Sequence, residues 1–72
     1  MNPVKTGVYK HYKNNEYRVI SEATHSETEE PVVVYQALYG DKAMWVRPKN
    51  IFLETVEYEG ETIPRFLFIS ES

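Results

Sequence analysis

The sequence predicts an all-β domain, and three observations point to it. Apolar runs are short, turn residues recur at roughly ten-residue intervals, and no stretch shows an amphipathic helical stripe. The clearest signal lies at residues 31–52, where two apolar runs flank Gly40-Asp41-Lys42, a pattern typical of a β-hairpin. We therefore expect a small antiparallel barrel of SH3-like type, with five or six strands and one short helical turn.

Four further runs predict strands around this hairpin: residues 7–13, 17–24, 53–58 and 63–69. Turn residues separate them, because Asn14-Asn15 and Glu59-Gly60-Glu61 tolerate or supply positive φ. The polar segment 25–30 predicts a loop. A single helical turn is expected at residues 48–52, with Pro48 at its first position and Ile51 and Phe52 facing inward.

The length of 72 residues predicts one domain spanning 1–72, with loose ends at 1–6 and 70–72. Such a chain buries only about 60% of its unfolded surface, so its stability needs additional support. With no cysteine and two histidines, neither a disulfide nor a tetrahedral zinc site is available, and we expect no metal and no cofactor. Six tyrosines, three phenylalanines and one tryptophan favour dense aromatic packing and permit oligomerisation.

Charge and hydropathy narrow the expected location and partners. The N-terminus lacks the apolar segment of a secretory signal, and no apolar run approaches the roughly 20 residues that span a bilayer. The net charge of -3 argues against a dedicated nucleic-acid binder, because phosphate contacts need a positive field. We expect a soluble, cytoplasmic domain that does not bind membranes.

Four segments resemble one family of small bacterial and phage proteins. They are GVYKHYKNNEYRVI near the start, ATHSETEEPVVVYQALYG, WVRPKNIF, and IPRF near the end. In combination they resemble the domain of unknown function DUF1653, from Gly7 to about Ile69. The resemblance implies a compact, mostly-β domain and no established activity.

His25 and Glu27 are the first candidate site residues. A histidine beside a hydroxyl and carboxylates can form an acid–base or metal-binding group, although the spacing matches no zinc motif. The alternative is a loop whose side chains satisfy nearby backbone groups.

Arg47 and Arg65 form a second candidate pair, since each adjoins a proline and an aromatic-rich run. An arginine in this setting clamps an anion with two hydrogen bonds or makes a structural salt bridge, and the sequence leaves both open. His11 and Tyr12 lie among cations that could hold phosphates, but a solvated hairpin is the favoured interpretation.

The simplest interpretation of Trp45 and the tyrosines is that they form the core, because so short a chain needs their area. The tyrosines are nevertheless too many to be hidden with every hydroxyl satisfied, so some should line a groove or a subunit contact. Tyr35 and Trp45 are the candidates for stacking against a ligand.

Three functions are compatible with these residues. The first is a non-enzymatic module that binds a small anionic or nucleotide-like ligand, with aromatic and polar contacts from His25, Glu27, Tyr35, Trp45, Arg47 and Arg65. The second is a protein-interaction module or homo-oligomer that uses the aromatic surface or an exposed strand edge. The third and weakest is a small hydrolase-like enzyme built on His25 and Glu27, because no nucleophile is evident.

Overall fold

The computed structural model describes residues 4–71, which form seven strands and one short helix. The all-β prediction is confirmed. The elements are β1 (Gly7–His11), β2 (Glu16–Thr24), β3 (Pro31–Ala37), β4 (Met44–Pro48), α1 (Lys49–Phe52), β5 (Thr55–Tyr58), β6 (Glu61–Pro64) and β7 (Phe66–Ser70). Hydrogen bonding among these residues defines two antiparallel sheets, one of order β4-β3-β2-β1-β7 and one of order β5-β6, with no closed barrel assigned.

The strand count exceeds the predicted five or six because the last predicted strand divides at Arg65. The Arg65 N–H donates to the carbonyl of Glu54 at 3.0 Å, which continues the β5–β6 pairing. The Arg65 carbonyl accepts from the N–H of Tyr12 at 3.0 Å, which continues the β1–β7 pairing. Arg65 is therefore the corner at which the chain passes from the small sheet to the large one.

The predicted hairpins form as expected. β1 and β2 pair across the Asn14 turn, where Asn14 has φ 82°, and Tyr9 lies opposite Tyr17. The β5–β6 turn has positive φ at Glu59 (52°) as well as at Gly60 (82°). Two successive positive φ values are typical of a type I′ turn, whose twist matches that of the flanking strands.

The short helix lies where the sequence predicted it. Pro48 has an extended backbone (φ -54°, ψ 139°) and precedes the helix instead of starting it. Phe52 is 1% exposed, and its ring stacks on Phe66 with centroids 4.2 Å apart and planes at 10°. Ile51 is half-buried. The helix therefore serves mainly to deliver Phe52 to the core.

The core lies on one face of the five-stranded sheet, which we call the core face. Strand register places Tyr9, Tyr17 and Tyr35 in neighbouring rows on that face. Edge-to-face ring contacts connect its aromatic side chains, as aromatic pairs prefer. The predicted dense aromatic packing is confirmed by the buried residues of this cluster: Val4, Tyr9, Val19, Val33, Tyr35, Phe52 and Phe66.

Trp45 does not belong to the core, contrary to the sequence prediction. It lies opposite buried Tyr35 in the β3–β4 register, yet it is 51% exposed. The reason is topological, because β4 is an edge strand with a neighbouring strand on one side only. The opposite face of the sheet, which we call the outer face, also exposes apolar side chains. They are Ile20, Met44, Val46, Leu67 and Ile69.

The described part of the N-terminal segment is anchored. Val4 is buried, and its N–H donates to Glu22 Oε2 at 2.5 Å, while Glu22 Oε1 lies 3.0 Å from Nζ of buried Lys49. Residues 1–3 and 72 of the predicted loose ends lie outside the described residues, and Ser70 belongs to β7. No helix within residues 4–71 is long and apolar enough to cross a membrane.

Candidate functional site

Phe66, the first residue of β7, is the centre of an aromatic group on the core face. Its ring centroid lies 4.9 Å from that of His11, 5.6 Å from that of Tyr35 and 5.7 Å from that of Tyr17. The pairing of β7 with β1 places Phe66 directly opposite His11. We call His11, Tyr17, Tyr35, Arg47 and Phe66 the Phe66 cluster.

Arg47 enters this cluster from the edge strand β4. Its Nε donates to the hydroxyl of Tyr35 at 3.1 Å, and its guanidinium carbon lies 5.7 Å from the ring centroid of Phe66. Within residues 4–71, no carboxylate oxygen lies within 4.0 Å of the Arg47 guanidinium. Arg47 is thus positioned by a hydroxyl and an aromatic face, and its charge has no acidic partner there.

Arg65 differs from Arg47, because it makes the structural salt bridge that the sequence offered as one alternative. One terminal nitrogen of Arg65 lies 2.5 Å from Glu54 Oε1. The Nε of Arg65 is buried without a hydrogen-bond partner in the described structure. The glutamate neutralises much of the charge of Arg65, but one of its donors stays unused.

The pKa of His11 reports the positive field around the cluster. Burial lowers this pKa most, and the charges of Arg47, Arg65 and Lys13 lower it further. His11 Nδ1 accepts a hydrogen bond from the N–H of Lys13 at 3.2 Å, which leaves the proton of the neutral ring on Nε2. At neutral pH, His11 is therefore an uncharged donor in a positive environment.

Two tyrosine hydroxyls extend the cluster toward solvent. The hydroxyls of Tyr17 and Tyr39 are 2.8 Å apart, and either can be the donor. Burial, followed by the hydrogen bond to Tyr39, raises the pKa of Tyr17 to about 12. Tyr39 is 45% exposed. The raised pKa keeps the hydroxyl of Tyr17 neutral at the rim of the cluster.

Trp45 supplies an exposed aromatic surface beside Arg47. The two residues are separated by one position on β4, so their side chains leave the same face of the strand. Tyr35 lies opposite Trp45 in the register and bonds Arg47. The structure therefore brings together three of the predicted site residues: Tyr35, Trp45 and Arg47.

His25 and Glu27 lie elsewhere, in the loop between β2 and β3. His25 Nδ1 accepts hydrogen bonds from the N–H groups of Glu27 (3.1 Å) and Thr28 (3.3 Å), so the ring stabilises its own loop. No hydrogen bond or ring contact among residues 4–71 joins His25 to Arg47, and no three His, Asp or Glu side chains of that range are grouped as metal ligands. This geometry corresponds to the local loop role that the sequence left open.

Two shallow grooves adjoin the sheet, and neither is lined by Arg47. One, of about 350 Å³, is lined by Lys10, His11, Tyr12, Asn14, Ile63, Pro64 and Leu67. The other, of about 340 Å³, is lined by Glu30, Pro31, Lys49, Asn50 and Leu53. The first shares His11 with the Phe66 cluster, so concave surface lies next to the cluster.

Sequence reasoning placed His11 on a solvated hairpin and did not select Tyr17 or Phe66 as site residues. The available signal was the alternation of aromatic and cationic residues in GVYKHYK, where Tyr9 and His11 share one face of β1. That signal could not show which residues lie opposite. Only the β1–β7 pairing places Phe66 beside His11.

Similarity to known proteins identifies the family of this chain. The family described as "Protein of unknown function (DUF1653)" matches residues 7–68. The chain belongs to the DUF1653 family. A crystal structure of a DUF1653 protein from Bordetella bronchiseptica is similar to it, with a TM-score of 0.88, 37% identity, and coverage of 96% of this chain and 91% of that chain. No curated protein matches this chain.

Proposed function

We propose that this DUF1653 protein is a non-enzymatic binding module for a small anionic, nucleotide-like ligand. Its anionic group binds Arg47, and its ring stacks on Trp45 at the edge of the Phe66 cluster. The observation on which this proposal rests is the environment of the Arg47 guanidinium. Tyr35 and Phe66 hold it in place, and no carboxylate of residues 4–71 lies within 4.0 Å of it. A structural arginine would be expected to pair with an acid, as Arg65 does.

Two further observations support an anion as the ligand. Arg47, Arg65 and Lys13 all lower the pKa of His11, so their fields overlap at this end of the core face. An anion bound there would interact favourably with Arg47 and Lys13, and less strongly with Arg65, whose charge Glu54 partly neutralises. The exposed ring of Trp45 offers a sequence-tolerant stacking surface of the kind that binds nucleobases.

His25 and Glu27 are not part of the proposed site, because their described hydrogen bonds close their own loop. Arg65 lies behind the proposed site and does not contact the ligand, since Glu54 occupies one of the terminal nitrogens of Arg65. We also infer that the two sheets curve toward each other in the manner of an SH3-like barrel. The Arg65 corner, bonded to both Glu54 and Tyr12, supports that geometry.

The proposal is tested by nuclear magnetic resonance titration of the ¹⁵N-labelled protein with adenosine monophosphate, adenosine and inorganic phosphate. We expect the monophosphate to shift amide signals of β4 and of Phe66 most, because it supplies both the ring and the charge. Arg47→Met should weaken this binding by about tenfold or more, the loss of one charged hydrogen-bonded contact. Shifts confined to other strands, or no shifts with any of the three probes, would contradict the proposed site.

Arg18→Met is the matched control. Arg18 is also half-buried in a strand of the large sheet, but register places it opposite Val8 and Gln36 on the outer face. It should bind the monophosphate as the wild type does. An equal loss in both variants would mean that net charge, and not the Arg47 site, governs binding.

A further inference from the structure

The free edge of β4 has an unusual combination of available backbone groups and exposed apolar side chains. Met44, Trp45 and Val46 are 55%, 51% and 61% exposed. Within residues 4–71, β4 pairs with β3 alone and ends the five-stranded sheet. An exposed apolar edge strand is a template for pairing with another chain.

The hydrogen-bonding pattern identifies which backbone groups of β4 point outward. The N–H of Ala37 donates to the carbonyl of Ala43 at 2.9 Å, and the β3–β4 register continues from this pair through Tyr35 opposite Trp45. In an antiparallel pair, hydrogen-bonded residues alternate with residues whose backbone groups face away. Ala43, Trp45 and Arg47 therefore bond β3, while Met44 and Val46 present their N–H and carbonyl groups outward.

The flanking residues restrict how another strand could pair with this edge. Lys42 already donates its N–H to the carbonyl of Tyr39 at 3.0 Å, and Pro48 has no N–H. Only one register of two antiparallel β4 strands therefore uses the outward N–H groups of both Met44 and Val46 in each copy. In it, Met44 of each copy lies opposite Val46 of the other, and the two Trp45 residues face each other on the twofold axis.

We propose that a second copy of this chain pairs with the β4 edge, forming a twofold-symmetric dimer with a continuous ten-stranded sheet. The outward groups of Met44 and Val46 would form four backbone hydrogen bonds across the axis. Met44, Trp45 and Val46 carry no charge, so no like charges meet on the axis. An isologous interface requires such self-complementarity.

This interface is small, so the dimer should be weak. Three residues from each copy fall below the size of a standard stable interface, and a dissociation constant on the order of 0.1–1 mM is expected. The other edge strand, β7, begins at the Arg65 corner, where the smaller sheet joins the larger one. β7 is thus an edge strand of the same sheet that takes no part in the proposed dimer, and the tests below use it as the control for β4.

Sedimentation velocity between about 10 µM and about 1 mM tests the association. The mean mass of the wild type should rise with concentration from that of one chain toward that of two. In parallel, amide signals of Met44 and Val46 should shift with concentration, and those of Phe66 and Phe68 on β7 should not. A mass that stays that of one chain up to the highest concentration would overturn the proposal.

Charge substitutions at the axis give the sharpest test. Trp45→Lys and Trp45→Glu should each be monomeric, because like charges meet on the axis, and an equal mixture of the two should associate. The control pair is Leu67→Lys and Leu67→Glu, at a residue of similar exposure (56%) on β7, which should leave association unchanged. Circular dichroism checks that each variant is folded.

If the two Trp45 variants do not associate when mixed, the proposed axis is wrong even if the wild type dimerises. Val46→Pro provides a second route, since it removes an outward N–H without removing a bond to β3. It should abolish the concentration-dependent shifts. These readouts measure association without ligand, so their failure leaves the proposed ligand site to be judged by its own titrations.

Discussion

The two faces of the five-stranded sheet both carry apolar side chains, but they have different surroundings. On the core face, Phe52 from the short helix covers Tyr35 and Phe66, and these three rings are buried. On the outer face, Met44, Val46 and Leu67 are each more than half exposed. Burial in so short a chain therefore depends on the few residues available as a second layer, and apolar character alone does not decide it.

The same comparison applies to charged residues. On the core face, Glu22 and Arg47 both lie in the cross-strand row of Val33. Glu22 pairs with buried Lys49, while Arg47 lies among aromatic rings. One charge is neutralised within the fold and the other is positioned without an acidic partner in residues 4–71. An arginine that is held in place without an acidic partner is suited to binding an anion, which is why we propose the ligand site at Arg47.

The largest expected difference between the two faces is in the free energy of unfolding when either of two adjacent residues of β7 is replaced by alanine. Phe66→Ala should lower the free energy of unfolding by about 3–5 kcal/mol, because it removes the ring at the centre of the cluster. Leu67→Ala should lower it by less than about 1 kcal/mol, because that side chain is mostly exposed. Urea denaturation measures both. Similar losses would show that a partner covers the outer face.

The second contrast concerns Glu22 and its dependence on pH. The N–H of Val4, and after it Lys49, lower the pKa of Glu22 below its ordinary value of 4.5. The charged form thus stabilises the fold above that value, and this stabilisation is lost as the pH falls through the lowered pKa.

Glu22→Gln should accordingly be less stable than the wild type at neutral pH, and the two should converge on acidification. Urea denaturation from about pH 7 to about pH 3 provides the measurement. Glu27→Gln, in the exposed loop, should follow the wild type throughout. A constant difference between Glu22→Gln and the wild type at every pH would exclude the electrostatic explanation.

A smaller difference is expected between two tyrosine hydroxyls. Tyr35→Phe leaves Arg47 Nε without its acceptor, which should cost about 0.5–1.5 kcal/mol. Tyr39→Phe removes a hydroxyl at the exposed rim and should change stability by less than about 0.5 kcal/mol. Thermal denaturation of both variants checks this order, and the reverse order would show that the rim pair, not the Arg47 contact, fixes this end of the sheet.

The smallest effect is a change in the titration of His11. Removing the nearby cation with Arg47→Met should raise the pKa of His11 toward its ordinary value of 6.5. Because the pKa of His11 is lower in the folded protein than in the unfolded chain, the free energy of unfolding decreases as the pH falls below about 6.5. This decrease should be smaller in Arg47→Met than in the wild type. Imidazole proton signals measure the pKa of His11 directly. Arg18→Met is the control. If the pKa of His11 rises equally in both variants, the positive field at His11 does not come specifically from the Phe66 cluster.

Much of the fold could be predicted from the sequence. Alternating apolar residues and turn residues such as Asn14 and Gly60 indicated the hairpins, and Pro48 indicated the helical turn, because these are local backbone preferences. The division of the last strand at Arg65 could not be foreseen, since it depends on bonds to distant Glu54 and Tyr12.

The candidate site was predicted only in part, for the same reason. Tyr35, Trp45 and Arg47 were selected as residue types suited to anion and ring binding, and strand register brings them together. His25 was selected as a histidine beside a hydroxyl and carboxylates, but its hydrogen bonds hold its own loop. A residue type indicates what a side chain can bind, while its neighbours decide whether that capacity stays available.

The sequence by itself therefore determined the class of this protein: a small aromatic-rich β domain of the DUF1653 family. The tertiary structure decided which aromatic residues are buried, which arginine has an acidic partner, and why Trp45 lies at an open edge. The physical reason is that strand formation is governed by local preferences of period two, whereas burial and ion pairing depend on which strands become neighbours.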